Sequence, residues 1–301
     1  MRRKTIIRLG AGLLAVLSFA SEPAAATKLQ PETIEEFDRY IGSSESRMDE
    51  TVASQRVFLW IDSLAEHDRV QAEAKLRRGQ VLVRRLETGN SVDGIHVRGG
   101  LIHDWMAIVF IPGISLSHTL ALVQDYDHAA EHYSPEVERS KLLSRSGNEF
   151  RVFLRLKRTE MLTTVFDTEY DIHYVTVDTS RAYSRSHSTR ISEVADPDTP
   201  REHEKPIGED NGFLWRLYSY WRFEQVDGGV YIQCQAISLT RDIPPGLGWL
   251  VRPFIQNIPS KSLNSALAAT RKALVPEIPG VSRLDQRQEP DLAAAMARTR
   301  N

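Results

Sequence analysis

Residues 218–239 read YSYWRFEQV, DGG, VYIQCQAISL: two runs of strand formers around Asp227-Gly228-Gly229. An Asp-Gly step between alternating apolar runs is a strong short-range hairpin signal. Placing Gln225 opposite Val230 sets Phe223 against Ile232, Trp221 against Cys234 and Ser219 against Ala236. That face is mostly apolar. The other face holds Tyr220, Arg222, Glu224, Tyr231, Gln233 and Gln235, a set that suits water. A curved antiparallel sheet with one apolar face needs a cover. The next regular segment can supply it. Ser260 can cap a helix to Leu274 with Leu263, Leu267 and Leu274 on one stripe, and Pro276 and Pro279 lie beyond its end.

Working outward, strands dominate the middle of the chain. Gln80–Leu86 and Ile102–Pro112 are the first two. Arg139–Leu143 and Glu149–Arg158 flank a Ser146-Gly147-Asn148 turn, with Phe150, Val152, Leu154 and Leu156 on one face and Arg151, Arg155 and Lys157 on the other. In Glu160–Val177, Leu162, Phe166, Tyr170, Ile172 and Tyr174 keep one register. Ala182–Val194 is polar on both faces, so it is an edge strand or lines something wet. Ala195–Asn211 is a polar loop with three prolines, of a length that marks a functional lid or a disordered insertion. Before the strands, Thr27–Thr51 and Ala65–Arg78 read as helices. In the first, Ile34, Phe37, Tyr40, Ile41 and Met48 recur at helical spacing. Ser115–Tyr133 reads as one or two short helices with Leu116, Leu120 and Val123 inward.

The first 26 residues differ from the rest. A basic start (Arg2, Arg3, Lys4, Arg8) precedes an apolar run, Leu9–Ala20, and Ala24-Ala25-Ala26 offers small residues for cleavage before Thr27. Ser18-Phe19-Ala20 is a second site, and an uncleaved membrane-anchoring segment is the alternative. The expectation is export to the periplasm or beyond. Cys234 is the sole cysteine, so no intramolecular disulfide can form and stability must come from packing. With a net charge of −2, nothing in the electrostatics points to nucleic acid as a partner. The resulting domain scheme is a signal peptide (1–26), a helical extension (27–78), the main domain (79–276) and a flexible tail (277–301).

The order strand, short helices, about six antiparallel strands and a long C-terminal helix resembles the helix-grip fold of the START-like (SRPBCC) superfamily. The resemblance covers Gln80 to Leu274. It is carried by Trp105–Pro112 leading to Asp125-Tyr126-Asp127, by Tyr220–Glu224 through Gly228-Gly229-Val230-Tyr231 to Leu239, and by the helix after Ile258-Pro259. It implies an α+β fold in which a curved antiparallel sheet of about seven strands packs on the C-terminal helix. Members typically bind lipids, sterols, polyketides or other apolar molecules there, and some are aromatases or cyclases. The resemblance therefore implies a binding protein for an apolar or amphipathic molecule, lipid or isoprenoid-like, with no cofactor. Its wall would be Phe166, Tyr170, Ile172, Trp221, Phe223, Ile232, Cys234, Phe254, Leu263 and Leu267. Trp249–Ile255 either packs on the sheet rim or makes transient contact with a bilayer.

Reactive signatures are few. His128 and His132 lie four apart with Asp125 one turn earlier, spacing compatible with a metal; Ala129 stands where HExxH has its Glu, and a solvated helix face is the preferred reading. Gly113-Ile114-Ser115-Leu116-Ser117 lacks the second glycine of a nucleophile elbow. Arg185, His187, Arg190, Glu169 and Asp171 form either cross-strand ion pairs facing solvent or a polar cluster in the cavity. Two alternatives stand beside the binding protein: a cyclase- or hydrolase-type enzyme using Tyr183, Arg185 and His187 inside the cavity, and a structural or interaction domain whose cavity is filled.

Overall fold

The computed structural model describes residues 27–54, 56–86, 95–159, 163–242 and 248–275, without the side chains of 27 and 248–257. The expected signal segment, the whole of the expected tail and the side chains of Trp249–Ile255 lie outside the described residues. In chain order the elements are β1 (Thr27–Lys28), α1 (Pro31–Ser54), a 3-10 turn (Trp60–Ser63), α2 (Glu66–Arg77), β2 (Leu82–Arg85), β3 (Ile95–Val97) and β4 (Gly100–Pro112). There follow α3 (Leu116–Val123), a 3-10 turn (Tyr126–His128), α4 (Ala129–His132), β5 (Val137–Ser146), β6 (Glu149–Thr159), β7 (Thr163–Thr176) and β8 (Arg181–Ala195). The chain closes with β9 (His203–Glu204), β10 (Glu209–Asp210), β11 (Arg216–Val226), β12 (Gly229–Arg241) and α5 (Gly248–Leu274).

One antiparallel sheet runs in the order β2-β4-β12-β11-β8-β7-β6-β5, with β3 beside β4 and β9 beside β8, ten strands against the seven expected. The β11–β12 register is the one read from the sequence: Phe223 pairs with Ile232, Trp221 with Cys234 and Ser219 with Ala236. Val226 pairs with Gly229, so Asp227 and Gly228 make the turn, and Gly228 takes φ 84°, where a Cβ would be strained. α5 lies across β4, β2 and β12 and grips the concave face. Leu263, Leu267 and Leu274 pack there into one core with Phe223, Ile232, Cys234 and the inner residues of β4. The architecture is a helix grip.

The opposite face is where expectation and structure part. Tyr220, Tyr231, Gln233 and Gln235 were expected to face water; all four are buried. The cover is the N-terminal helical segment. Phe37 and Ile41 of α1 pack with Ile102, Ile237 and Leu239. Phe58, Leu59, Ile61 and Leu76 pack with Ile108, Phe110 and Tyr231. Two of the polar groups on this face are bonded to the cover. Gln233 Oε1 accepts from Trp60 N at 2.6 Å, and Arg222 Nη1 donates to the Phe58 carbonyl at 2.6 Å. Burial on both faces explains why β4 reads as a nearly unbroken apolar run.

Three further expectations are corrected. β8 is an interior strand between β7 and β11, not an edge; Arg185 and His187 on its outer face pair with Asp49 and Glu45 of α1. The 195–211 segment is folded down rather than structureless. β9 pairs with β8, Arg155 Nη1 reaches Glu202 at 2.8 Å, and Lys205 Nζ reaches Glu193 at 2.7 Å. Ser260 does not start the last helix, which begins at Gly248 and continues through Pro253 and Pro259. Proline removes one ladder bond and costs about 3 kcal/mol; a 27-residue helix held across three strands carries it.

Candidate functional site

The site is built from strand alternation. On β6 and β7 the inward positions are Phe150, Val152, Leu154, Leu156 and, opposite them, Ile172, Tyr170, Thr168 and Phe166. On β8 they are Ala182, Ser184, Ser186 and Ser188, which meet Phe223, Trp221 and Ser219 of β11. A bulge at Thr189 keeps Tyr170 opposite Ser188. Of the ten residues named for the wall, nine lie on or over the concave face. Tyr170, Ile172, Phe223, Ile232, Cys234, Leu263 and Leu267 share one buried cluster, and Trp221 packs against it half-buried. Phe166 is on the same face by register but outside that cluster. The side chain of Phe254 is outside the described residues.

The two ends of this face differ. At the hairpin end it is closed. Leu116 N donates to Gln225 Oε1 at 2.7 Å, anchoring α3 over the sheet. Tyr126, Phe150 and Tyr174 meet edge to face, with centroids 5.6 and 5.3 Å apart, and the two tyrosine hydroxyls bond at 2.8 Å. At the other end several inward side chains are only half-buried, Trp105, Leu154, Leu156, Leu217, Ser219 and Ala236, while Thr168 and Phe166 beside them are buried. All six lie toward the same edge of the antiparallel register. Between closed and open ends sits Tyr170. Its hydroxyl is buried without a hydrogen-bond partner. Burial pushes it up to about 12, with the Arg158 charge pulling the other way. The Thr168 hydroxyl itself is spent on the Leu154 carbonyl at 2.7 Å. Burial likewise pushes the Cys234 thiol well up, so it is a core residue and no nucleophile.

A cleft of about 660 Å³ lies between the Ile258–Ser265 stretch of α5, the α4–β5 corner at Ala130–Glu138 and the end of β6. This is ligand-sized. Its walls include Val137 and Ile258 beside Lys157, Arg158 and Lys261. None of these residues belongs to the set named from sequence. A signal for one was present: the alternation Phe150, Val152, Leu154, Leu156 continues to Arg158, placing a cation on the apolar face.

Tyr183, Arg185 and His187, the residues of the enzyme alternative, point the opposite way. They alternate with the buried serines and lie under α1. Arg185 is paired with Asp49, and His187 Nε2 meets Glu45 Oε1 at 2.7 Å. Glu45 also accepts from Tyr220 Oη at 2.9 Å, and its bond to His187 holds its carboxyl below the usual range. Arg190 pairs across the strands with Glu169 at 3.6 Å, as the ion-pair reading expects. His128 is bonded through Nδ1 to Asp125 at 2.8 Å. Among the described residues no three metal-ligating side chains converge.

The order of strands and the gripping helix decide the fold. The fold is a helix grip. No protein-family model and no curated protein matches the chain. Solved structures are similar in architecture. A STAR-related lipid transfer protein from Xanthomonas axonopodis is 17% identical with a TM-score of 0.45, the match covering 64% of this chain and 93% of that one. Human STARD10 is 10% identical with a TM-score of 0.40, covering 70% and 80%. The Zhui aromatase/cyclase from a Streptomyces is 10% identical with a TM-score of 0.37, covering 58% and 93%. At these identities residue roles rest on this chain's own geometry.

Proposed function

We propose that the chain is an exported binding protein that holds an apolar or amphipathic small molecule, lipid or isoprenoid-like, between the concave sheet face and α5. The observation that carries this reading is the open end. An aromatic and aliphatic wall is closed at one end and keeps several half-buried side chains at the other, and a ligand-sized cleft lies beside α5 at that end. A half-buried Trp221, its ring parallel to Phe223 at 6.2 Å, gives a flat apolar surface at that opening. Export is supported by the basic start, the apolar run and the Ala24-Ala25-Ala26 step. The enzyme alternative loses its groups to the far face.

The test is to purify the chain from an exporting host, extract it with organic solvent and identify bound molecules by mass spectrometry. Binding of an apolar fluorescent probe is then compared with that of Trp221→Ala. A co-purifying apolar molecule and a several-fold weaker probe affinity in the variant support the reading. An empty extract together with unchanged probe binding would sink it and favour a filled, structural grip. Mass analysis of the mature N-terminus checks export: cleavage before Thr27 is expected.

A further inference from the structure

The concave floor is not evenly filled. Successive inward positions of β8 are Ser184, Ser186 and Ser188, on a face whose cluster is otherwise largely aromatic and branched. The register sets Ser186 beside Ser219 of β11, and Ser219 beside Ala236 of β12. The small side chains therefore form one patch on three adjacent strands. Strand spacing and rise give it roughly 10 Å across the strands and roughly 13 Å along β8. Ile172 of β7 bounds it on one side and Trp105 of β4 on the other, each next in the same row. The three serines of β8 are buried, but Ser219, Ala236 and Trp105 are half-buried, so the patch reaches the opening.

Tyr170 stands at the edge of this patch. It pairs with Ser188 across β7 and β8, shares its face, and is 5% exposed. Its hydroxyl is buried without a hydrogen-bond partner. Other hydroxyls on this face are engaged: Tyr174 with Tyr126 at 2.8 Å, Tyr133 with Thr270 at 3.1 Å, and Ser188, which accepts from Leu217 N at 3.1 Å. A buried O–H with no acceptor is a cost to the empty protein, and an arriving ligand oxygen removes it. The patch itself carries no charge. Arg158, whose charge reaches Tyr170, lies past Leu156 at the end of β6 and has a partner of its own.

We propose that the patch seats a neutral, flat apolar molecule with one hydrogen-bond-accepting oxygen, of the ketone, ester or alcohol type. That oxygen takes the Tyr170 O–H, and the body lies over Ser186, Ser219 and Ala236 between Ile172 and Trp105. The proposal rests on the reading of the grip as a ligand container and adds the ligand's shape, its polarity and the residue that reads it. Small side chains in a row leave a shallow floor, which suits a flat body. A carboxylate in the same place would lose its water with no countercharge beside it.

Three probes of one shape test it: 2-acetylnaphthalene, 2-ethylnaphthalene, which has CH2 in place of the carbonyl, and 2-naphthoate. Each is titrated by fluorescence into the full chain and into Tyr170→Phe, which removes the hydroxyl alone. The variant should bind 2-acetylnaphthalene about 2- to 10-fold more weakly, the range for one hydrogen bond, and 2-ethylnaphthalene as before. Its urea midpoint should be kept or raised, because the hydroxyl holds no protein partner. In the wild-type chain 2-naphthoate should bind at least roughly 10-fold more weakly than the ketone. Ser219→Leu, which fills the half-buried middle of the patch, should weaken both neutral probes several-fold. Unchanged ketone binding in Tyr170→Phe, a lowered midpoint there, naphthoate binding as tight as the ketone's, or neutral binding indifferent to Ser219→Leu each overturns this site and leaves the container standing. No binding of any probe overturns both.

Discussion

Asp104→Asn should stabilise the protein above neutral pH and do little near pH 4. Asp104 is 3% exposed on the face covered by α1. Tyr40 Oη donates to it at 2.7 Å, and the Gln235 amide donates at 2.8 and 3.1 Å to its two oxygens. Removing water from the carboxylate raises its pKa from 3.8 to about 6; those hydrogen bonds and the Arg47 charge offset only part of this. A carboxyl with a raised folded pKa holds its proton more tightly folded than unfolded. Its contribution to stability is therefore greatest below 3.8, falls as pH rises to about 6, and is flat above. Two pH units at about 1.4 kcal/mol each give a loss of roughly 3 kcal/mol by pH 8, and only about 0.5 kcal/mol at pH 4. Asparagine cannot ionise. It keeps one acceptor for Tyr40, and its NH2 can face the Gln235 oxygen once that amide turns over. A neutral acceptor makes weaker bonds than a carboxylate. The net gain should be about 2.5 kcal/mol larger at pH 8 than at pH 4, where it should be about zero. Urea denaturation at the two pH values, followed by fluorescence and circular dichroism together, measures it. Equal destabilisation at both pH values would refute the reasoning, because no charge penalty would then exist to be relieved.

Other outcomes follow from named contacts. Gly229→Ala should abolish soluble expression, because a Cβ there would sit on the Ile111 carbonyl inside contact distance; Gly147→Ala, with open space around it, should cost only about 1 kcal/mol. Arg155→Ala should cost about 3–5 kcal/mol in urea melts, since it strands the buried Asp167 carboxylate now held at 2.7 and 2.6 Å. Arg151→Ala, removing an exposed partner of Glu169, should cost under about 1 kcal/mol in the same assay. Phe223→Ala, fully buried at the centre of the concave cluster, should lower stability by about 3–5 kcal/mol.

Much of the sheet was legible because strand alternation and turn chemistry are local. The Asp227-Gly228 turn fixed the β11–β12 register to the residue, and with it the inward set Trp221, Phe223, Ile232 and Cys234. The helix stripe Leu263, Leu267 and Leu274 was equally local. What could not be read was which long-range partner would cover the second face. Tyr220, Gln233 and Gln235 look hydrophilic in isolation. Their burial depends on Glu45, Trp60 and Asp104, all more than a hundred residues away in the chain. The start of α5 failed for a different reason: the helix was placed after Ile258-Pro259, yet tertiary packing outweighs the ladder bonds that Pro253 and Pro259 remove. The cleft was missed because its walls come from α4, β5, β6 and α5, and only Arg158 had a readable periodicity.

The double-sided burial bears on how a grip can be left partly empty. An unfilled space forfeits packing around it, and a domain is stable by only about 5–15 kcal/mol. Here the central strands β4, β12 and β11 gain a second core on the far face, from α1, the Trp60–Ser63 turn and α2. That face also carries the buried polar bonds of Glu45, Asp104, Gln233 and Gln235. Stability can therefore reside on the covered face while the open end keeps half-buried Trp105, Leu217 and Trp221 available. Substitutions on the two faces should then separate. Weakening α1's hold through Glu45→Ala should lower the urea midpoint with little change in probe affinity. Trp221→Ala should do the reverse. If both substitutions moved stability and binding together, the two faces would be one cooperative structure and the open end would owe its shape to α1.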